Sequence, residues 1–337
     1  MEFIFTILIT ILASFFVTFL ITPKLIEKFR KRNIVGNDMN KFSKPEVAEM
    51  GGIGVLFGFS FAVMTAIFIF TYLNSVPVDV RVLLAGFSTV LIIGFIGVVD
   101  DLIGWRKGIR QWQHALFPLF AALPLMAVKV GVTTMLIPFI GVISFGVWYS
   151  LLLVPFGVTG ASNAFNMLAG FNGLEAGLGI LISFTLMIIA YFYGSIEAVV
   201  LMAAMLGALI AFLKYNWFPA KIFPGDSLTL MIGSCVAAAV IIGNMERIGI
   251  MLMALFFVEL LFKAKHKFQS QNFGIPQKDG TLLPDPRGGS LTHWIMRKGK
   301  FSEKQVVGII LSAQGIICLI TFIFFYLQLN TSIALPF

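Results

Sequence analysis

The sequence predicts an all-α, polytopic integral membrane protein with about ten transmembrane helices and both termini outside. Composition, apolar run length and the placement of basic residues predict it together. Of 337 residues, 58% are hydrophobic and 12% charged, against about 25% charged in soluble domains. The apolar residues gather in runs long enough to cross a bilayer, which takes about 20 residues. Lys and Arg gather on one side of the alternating connections, as the positive-inside rule requires.

The runs are 3–22, 52–73, 82–99, 112–128, 132–159, 176–194, 196–213, 228–244, 248–262 and 306–329. Runs 112–128 and 248–262 are short, but Lys stems beside them can snorkel to the interface. No small-residue cleavage site follows the first run, so it is expected to stay as a membrane helix. With the N-terminus outside, the cytoplasmic segments are 23–51, 100–111, 160–175, 214–227 and 263–305. They hold 21 of the 24 Lys and Arg, leaving Arg81, Lys129 and Arg247 on the other side. A miscounted helix would invert every later loop and scramble that bias. The net charge of +8 is thus explained by topology, and no nucleic-acid partner is expected. Cys235 and Cys318 lie within apolar runs and read as buried free thiols. One membrane-embedded domain, 1–337, is expected, with the five cytoplasmic segments building its functional face.

Polar residues at membrane depth are costly unless partnered or functional. Four clusters stand out, all in the cytoplasmic segments. Asp100-Asp101 closes an apolar run; the pair reads either as a helix end or as a seat for Mg²⁺ or a cation. Asn163 and Asn166 stand at i, i+3 on one helix face, so both can point at one ligand. Asn172-Gly173-Leu174-Glu175 follows as a tight turn whose backbone can approach a ligand closely. Phe223-Pro224-Gly225-Asp226-Ser227 offers either an N-cap or a hard metal ligand. Pro286-Arg287-Gly288-Gly289 offers an Arg that can fork onto phosphate in a loop with open amides, or a solvated loop charge.

Together these stretches resemble the polyprenyl-phosphate N-acetylhexosamine-1-phosphate transferases. They are most similar to the archaeal and eukaryotic branch that makes GlcNAc-pyrophosphoryl-dolichol. The resemblance runs from about residue 20 to residue 290. It is carried by Asp100-Asp101, by Asn-Ala-Phe-Asn-Met-Leu-Ala-Gly-Phe-Asn-Gly-Leu-Glu at 163–175, by Phe-Pro-Gly-Asp at 223–226 and by Pro286-Arg287. Gly36-Asn37-Asp38-Met39-Asn40-Lys41 also resembles that branch.

The resemblance implies ten membrane helices around a cytoplasmic active site. It implies transfer of N-acetylhexosamine-1-phosphate, GlcNAc-1-phosphate first, from a UDP-sugar to dolichyl or polyprenyl phosphate, releasing UMP. This is the opening step of lipid-linked oligosaccharide assembly for N-glycosylation. Asp226 and Asn166 would bind one Mg²⁺ (Mn²⁺ substituting) that bridges the donor pyrophosphate, and Arg287 would contact the same group. Asn172 would read the uracil, Phe223 would stack on it, and Glu49 and the backbone near Met39 would line the nucleotide pocket. Asp100 and Asp101 would flank the reacting phosphates, Asn163 would face substrate, and Arg110 would take the lipid phosphate. A second copy of the chain is an expected partner, as a homodimer. The location implied is the cell membrane of an archaeon or the endoplasmic reticulum membrane of a eukaryote.

The chain departs from the branch at three places. Gly288-Gly289 stands where the eukaryotic proteins have His-Arg, Gly104 where they have Asn, and Arg110 where relatives carry Lys, a change that keeps charge and alters geometry. Two other classes stay open. A secondary transporter shares the helix number, but Glu197 and Glu259 are the only acids within the apolar runs and no repeat is visible. A cell-wall enzyme using a UDP-muramoyl-peptide would carry a His-rich loop, where this chain has only His293.

Overall fold

The computed structural model describes residues 2–73, 76–104, 111–137 and 141–334, with side chains outside 104, 111–115, 136–137 and 330–334. Arg110 lies outside the described residues. In chain order, α1 (Glu2–Lys31) leads through an antiparallel hairpin, β1 (Val35–Asn37) and β2 (Glu46–Ala48), to α2 (Gly52–Tyr72) and α3 (Val80–Gly104). Helices α4 (Gln111–Ala121) and α5 (Leu123–Ala127) precede a second hairpin, β3 (Thr134–Ile137) with β4 (Gly141–Ser144). A π-helical turn, Tyr149–Leu153, opens into α6 (Val154–Met167). Then come α7 (Leu174–Tyr193), α8 (Ile196–Asn216), α9 (Asp226–Ile242), α10 (Glu246–Leu252) and α11 (Ala254–Lys265). A small antiparallel sheet, β5 (Ile275–Pro276), β6 (Thr281–Leu283) and β7 (Phe301–Ser302), encloses α12 (Leu291–Met296), and α13 (Glu303–Ala334) follows.

Among the described residues, α1, α2, α3, α7, α8 and α13 are long and apolar enough to cross a membrane; α9 and 116–127 are apolar but shorter. The surface agrees. Helix α1 buries Thr6, Thr10, Ser14, Thr18 and Thr22, and turns Phe5, Leu8, Leu12, Phe16 and Leu20 outward. In water such a face would be an aggregation patch. In lipid it is the solvated side, and small residues inside let helices approach closely. Thr18 meets Gly58 of α2 and Ser14 meets Gly207 of α8, where a Cβ would collide. Helix α8, buried along most of its length, is the centre around which α1, α2, α7 and α9 pack. The protein is a polytopic helical membrane protein.

The expected helix over 132–159 is not formed as one element. Residues 134–137 pair with 141–144 as strands β3 and β4, and the helix that follows passes through the π turn at Tyr149–Leu153 before α6 begins at Val154. Gly131, Gly141 and Gly146 take positive φ, and Thr, Val and Ile between them suit a strand. The run 112–128 is interrupted at Ala122, where Pro124 lacks the amide that would continue the ladder. The run 248–262 divides at Met253. The connection expected at 160–175 begins later, because α6 continues to Met167 and carries Asn163 and Asn166 in its last turns.

The helix ends that matter meet at one end of the bundle. Gly173 N–H at the start of α7 donates to Asn216 Oδ1 at the end of α8 at 3.1 Å, and Asn216 Nδ2 donates to Ile222 O ahead of α9 at 3.0 Å. The end of α6 and the start of α9 therefore lie side by side.

Candidate active site

Helices α3 and α9 approach until backbone meets backbone. A Cβ on Gly97 would stand 2.5 Å from Ser227 Cα, and one on Gly225 would run into the Asp101 carboxylate. Asp101 Oδ1 accepts from Asp226 N–H at 2.7 Å and Oδ2 from Ser227 N–H at 3.2 Å. The carboxylate thus caps the first turn of α9, where free amides and the helix dipole favour an anion. Asp226, held there by its backbone, is half-buried, and Asp100 beside the capping residue is buried.

Across α9, Gly233 leaves no room for a side chain against Ala161 O of α6. Asp226 lies about two turns before that crossing and Asn166 just over one turn beyond it, at the same end. Asn163 and Asn166 both line a groove of about 1220 Å³ between α6, α9, α10 and α11. Its walls are apolar, including Phe156, Val236, Val240, Ile250 and Phe257. At the far end the Tyr149 hydroxyl donates to Glu246. At the near end stand Lys263, Lys267, Ser270 and Asn272. Lys263 Nζ donates to Ser270 O and Asn272 Oδ1, each at 2.5 Å, and Glu259 Oε1 is 3.7 Å away. Asn272 Nδ2 in turn donates to Met167 O at 2.8 Å and Ala169 O at 2.7 Å, which ties the segment after α11 to the end of α6.

Three connections converge beside this rim. Phe223 N–H donates to Ala48 O at 2.7 Å, and Phe223 O accepts from Gly51 N–H at 2.9 Å, so the 217–225 connection lies along the β1–β2 hairpin. The Glu49 side chain fills the space over Gly36. Its pKa is raised above 4.5, first by burial and then by the charge of Asp226. From the 170–175 turn, Asn172 N–H donates to Glu303 Oε1 at 2.8 Å and Asn172 Nδ2 to Asp38 Oδ2 at 2.9 Å. Lys41 pairs with Asp38 at 2.9 Å and with Glu303, closing a ring of four residues through the Asn172 backbone. Asn172 is 4% exposed, and its Oδ1 is buried without a partner. Met39, between Asp38 and Asn40, is exposed. Glu175 Oε1 accepts from Gly170 N–H at 2.6 Å and braces the same turn.

Arg287 is exposed on a turn whose N–H donates to Asp285 Oδ1 at 2.8 Å. The turn is anchored to the groove mouth, since Gly289 N–H donates to Ser270 Oγ at 2.6 Å. Imidazoles crowd both glycines: His293 over Gly288 and His266 over Gly289. Burial lowers the His293 pKa. Kept neutral, His293 accepts from Ser290 Oγ at 2.7 Å through Nδ1 and donates to Phe273 O at 3.0 Å through Nε2, the tautomer its partners require.

Residues 83–244 match the model of glycosyl transferase family 4. A Saccharolobus solfataricus protein, provisionally named UDP-N-acetylglucosamine–dolichyl-phosphate N-acetylglucosaminephosphotransferase, is 37% identical over 95% of this chain and 97% of its own. A Sulfolobus acidocaldarius protein of the same name is 36% identical over 94% and 96%. The chain belongs to glycosyl transferase family 4. A further relative of this family 4 transferase, the phospho-N-acetylmuramoyl-pentapeptide-transferase of Clostridium perfringens, is 31% identical over 76% of the chain and 81% of its own. The protein is a sugar-phosphate transferase, and its arrangement suits phosphoryl chemistry: anionic and amide oxygens at a rim, and an apolar groove leading from it.

The structure brings Asn163, Asn166, Asp100, Asp101 and Asp226 of this family 4 transferase to one end, with Glu49, Met39, Asn172 and Phe223 on the adjoining connections. Arg287 joins through the anchors of its turn. Sequence reasoning missed Asp38, Lys41, Glu303 and Asn272 as site-builders. Asp38 and Lys41 sat within a stretch already marked by resemblance. Glu303 carried no local signal, because its partners lie 131 and 262 residues away.

Proposed function

We propose that this chain transfers GlcNAc-1-phosphate from UDP-GlcNAc to dolichyl or a related polyprenyl phosphate and releases UMP. The groove carries the reading: an apolar channel of about 1220 Å³ that ends at Asn163 and Asn166 fits an isoprenoid chain whose phosphate reaches the polar rim. A lipid phosphate oxygen would attack the sugar-bearing phosphorus as its bond to UMP breaks, in one displacement. The acceptor is already largely anionic near neutral pH, so positioning and charge neutralisation are what the protein has to supply.

Among the described residues no three His, Cys, Asp or Glu side chains converge to hold a metal unaided. One carboxylate from Asp226 and one amide oxygen from Asn166 are hard oxygen donors that suit Mg²⁺, which takes one or two carboxylates and completes its shell with water and substrate phosphate. Asp226 and Asn166 would hold the ion, with Asp226 fixed by the amide bonds of its turn to Asp101. When bound, it would withdraw charge from the pyrophosphate and make UMP a better leaving group. Asp101 orients α9, Asn172 and Phe223 receive the base, and Arg287 and Arg110 receive phosphate. The arrangement of ten crossing segments with both termini outside, the active site on the cytoplasmic face of the cell or endoplasmic reticulum membrane, and a homodimeric state belong to the same proposal.

Purified protein with Mg²⁺, dolichyl phosphate and radiolabelled UDP-GlcNAc is expected to yield a labelled lipid and UMP. EDTA or Asp226→Ala should lower the rate at least a hundredfold. Labelling from a UDP-muramoyl-peptide in place of UDP-GlcNAc would overturn the donor assignment. Full activity in EDTA would overturn the metal.

A further inference from the structure

We infer that Asp38 makes the protein select uracil over cytosine, by locking which end of the Asn172 amide faces the base. The inference rests on the reading of a UDP-sugar as donor.

A side-chain amide has two nearly isosteric ends of opposite character, Oδ1 accepting and Nδ2 donating, and the surroundings decide which way it points. Asp38 decides it here. Its Oδ2 lies 2.9 Å from Asn172 Nδ2 and 2.9 Å from Lys41 Nζ, and its Oδ1 accepts from Asn40 N–H at 3.2 Å. A carboxylate paired with an ammonium only accepts, so the end of Asn172 beside it is the donor. Turning the amide would set its oxygen against the Asp38 oxygen.

The rest of the ring prevents the pair from drifting apart. Asp38 is 4% exposed and Glu303 3%. Glu303 holds the Asn172 backbone N–H at 2.8 Å and pairs with Lys41, which returns to Asp38. Lys41 also lies over the Phe218 ring, 4.1 Å from its centroid. The carboxylate, the ammonium and the peptide carrying the amide are therefore positioned as one unit.

What the lock leaves over is Asn172 Oδ1, buried and without a partner. A buried acceptor left unpaired is a standing cost that a donor relieves. Uracil brings a donor at N3. Cytosine in the same pose brings a lone pair at N3, which repels Oδ1, and the amide cannot turn to answer it while Asp38 holds Nδ2. A site built to bond a specific hydrogen rejects the analogue that lacks it strongly, because its own group is left unsatisfied. Asp38 is thus a positioning residue that touches no base and sets the base preference through Asn172.

Equilibrium binding of UMP, CMP and 3-methyl-UMP to the purified protein tests this without chemistry. Wild type is expected to bind UMP at least tenfold tighter than both others, since both lack the N3 hydrogen. Asp38→Asn supplies a neighbour that can either accept or donate, frees the amide to turn, and should shrink the UMP-over-CMP preference at least fivefold. A merely structural role for Asp38 would weaken UMP and CMP equally and leave that ratio unchanged, which would overturn the inference. Equal wild-type binding of UMP and 3-methyl-UMP would overturn it too, without any variant that has to fold. Lys41→Gln, which loosens the ring and leaves the carboxylate, should lower the ratio in the same direction. If wild type bound no UMP and transferred nothing from UDP-GlcNAc, the donor reading itself would fail; UMP binding with an unchanged ratio in Asp38→Asn refutes only the role of Asp38.

Discussion

Two carboxylates of the rim do different work although both were read as site residues. Asp101 spends its oxygens on the amides of Asp226 and Ser227, while Glu49 is folded over Gly36 and feels the charge of Asp226. With its pKa raised, Glu49 holds a proton more tightly in the folded protein than in the unfolded chain. Its contribution to stability is therefore whole below pH 4.5 and is lost as pH rises through the raised value. Glu49→Gln has no such proton to lose. Its Tm advantage over wild type should grow from pH 4.5 up to the raised value and level off above it, measured by thermal unfolding in detergent from about pH 4 to about pH 8. Parallel curves would show that burial of Glu49 does not matter to folding. At this scale the sequence was legible where the residues concerned are neighbours: Asn163 and Asn166, at i, i+3, do line one groove. It was illegible where partners are remote, as with Glu303 and Lys41, 262 residues apart.

Helix α9 is placed by glycines. Gly97 on α3 and Gly233 on α9 bring three helices to backbone contact, and the Gly97 contact lies at the first turn of α9, which carries Asp226. Gly97→Leu would force Ser227 and the first turn of α9 away from α3. The expected result is a loss of about 1–3 kcal/mol from overpacking, together with at least a tenfold fall in transfer rate. Chemical denaturation and the transfer assay check the two effects, and a stable variant with unchanged rate would show that the α3–α9 distance does not control the site. Helix existence was legible from apolar run length because every backbone group in lipid has to be satisfied within the segment. Helix continuity was not. The run 132–159 is mostly apolar, yet positive-φ glycines at 131, 141 and 146 flank two paired strands before α6 begins, and run length carries no information about φ.

Over the whole molecule, the outward Phe, Leu and Ile of α1 and the enclosed α8 define an outside in lipid and a centre of packed small residues. The groove is cut into that body on the side of α6 and α11. Gly160 lines it, and nothing stands within 4 Å of where its Cβ would be. Gly160→Trp is therefore expected to fold and to fill the channel, raising the KM for polyprenyl phosphate at least tenfold while the KM for UDP-GlcNAc changes less than twofold. Equal changes in both would show that the groove is not the acceptor path. The polar clusters read from the sequence come together at one end of the bundle. The groove was hidden from that reading, because a wall and a lipid-facing surface are made of the same apolar residues.

The inward stripe of α1 bears on how such a protein is made. Thr6, Thr10 and Thr22 donate to the carbonyls of their own helix four residues earlier, so α1 can enter the bilayer with these hydroxyls already satisfied. Ser14 instead donates to Ala204 O, 190 residues later, at 2.6 Å. Helix α1 can pack on α2 as soon as that helix follows it, but Ser14 and the face it shares with Gly207 stay open until α8 has been synthesised. Assembly of the bundle centre is on this account a late event, triggered by the arrival of α8.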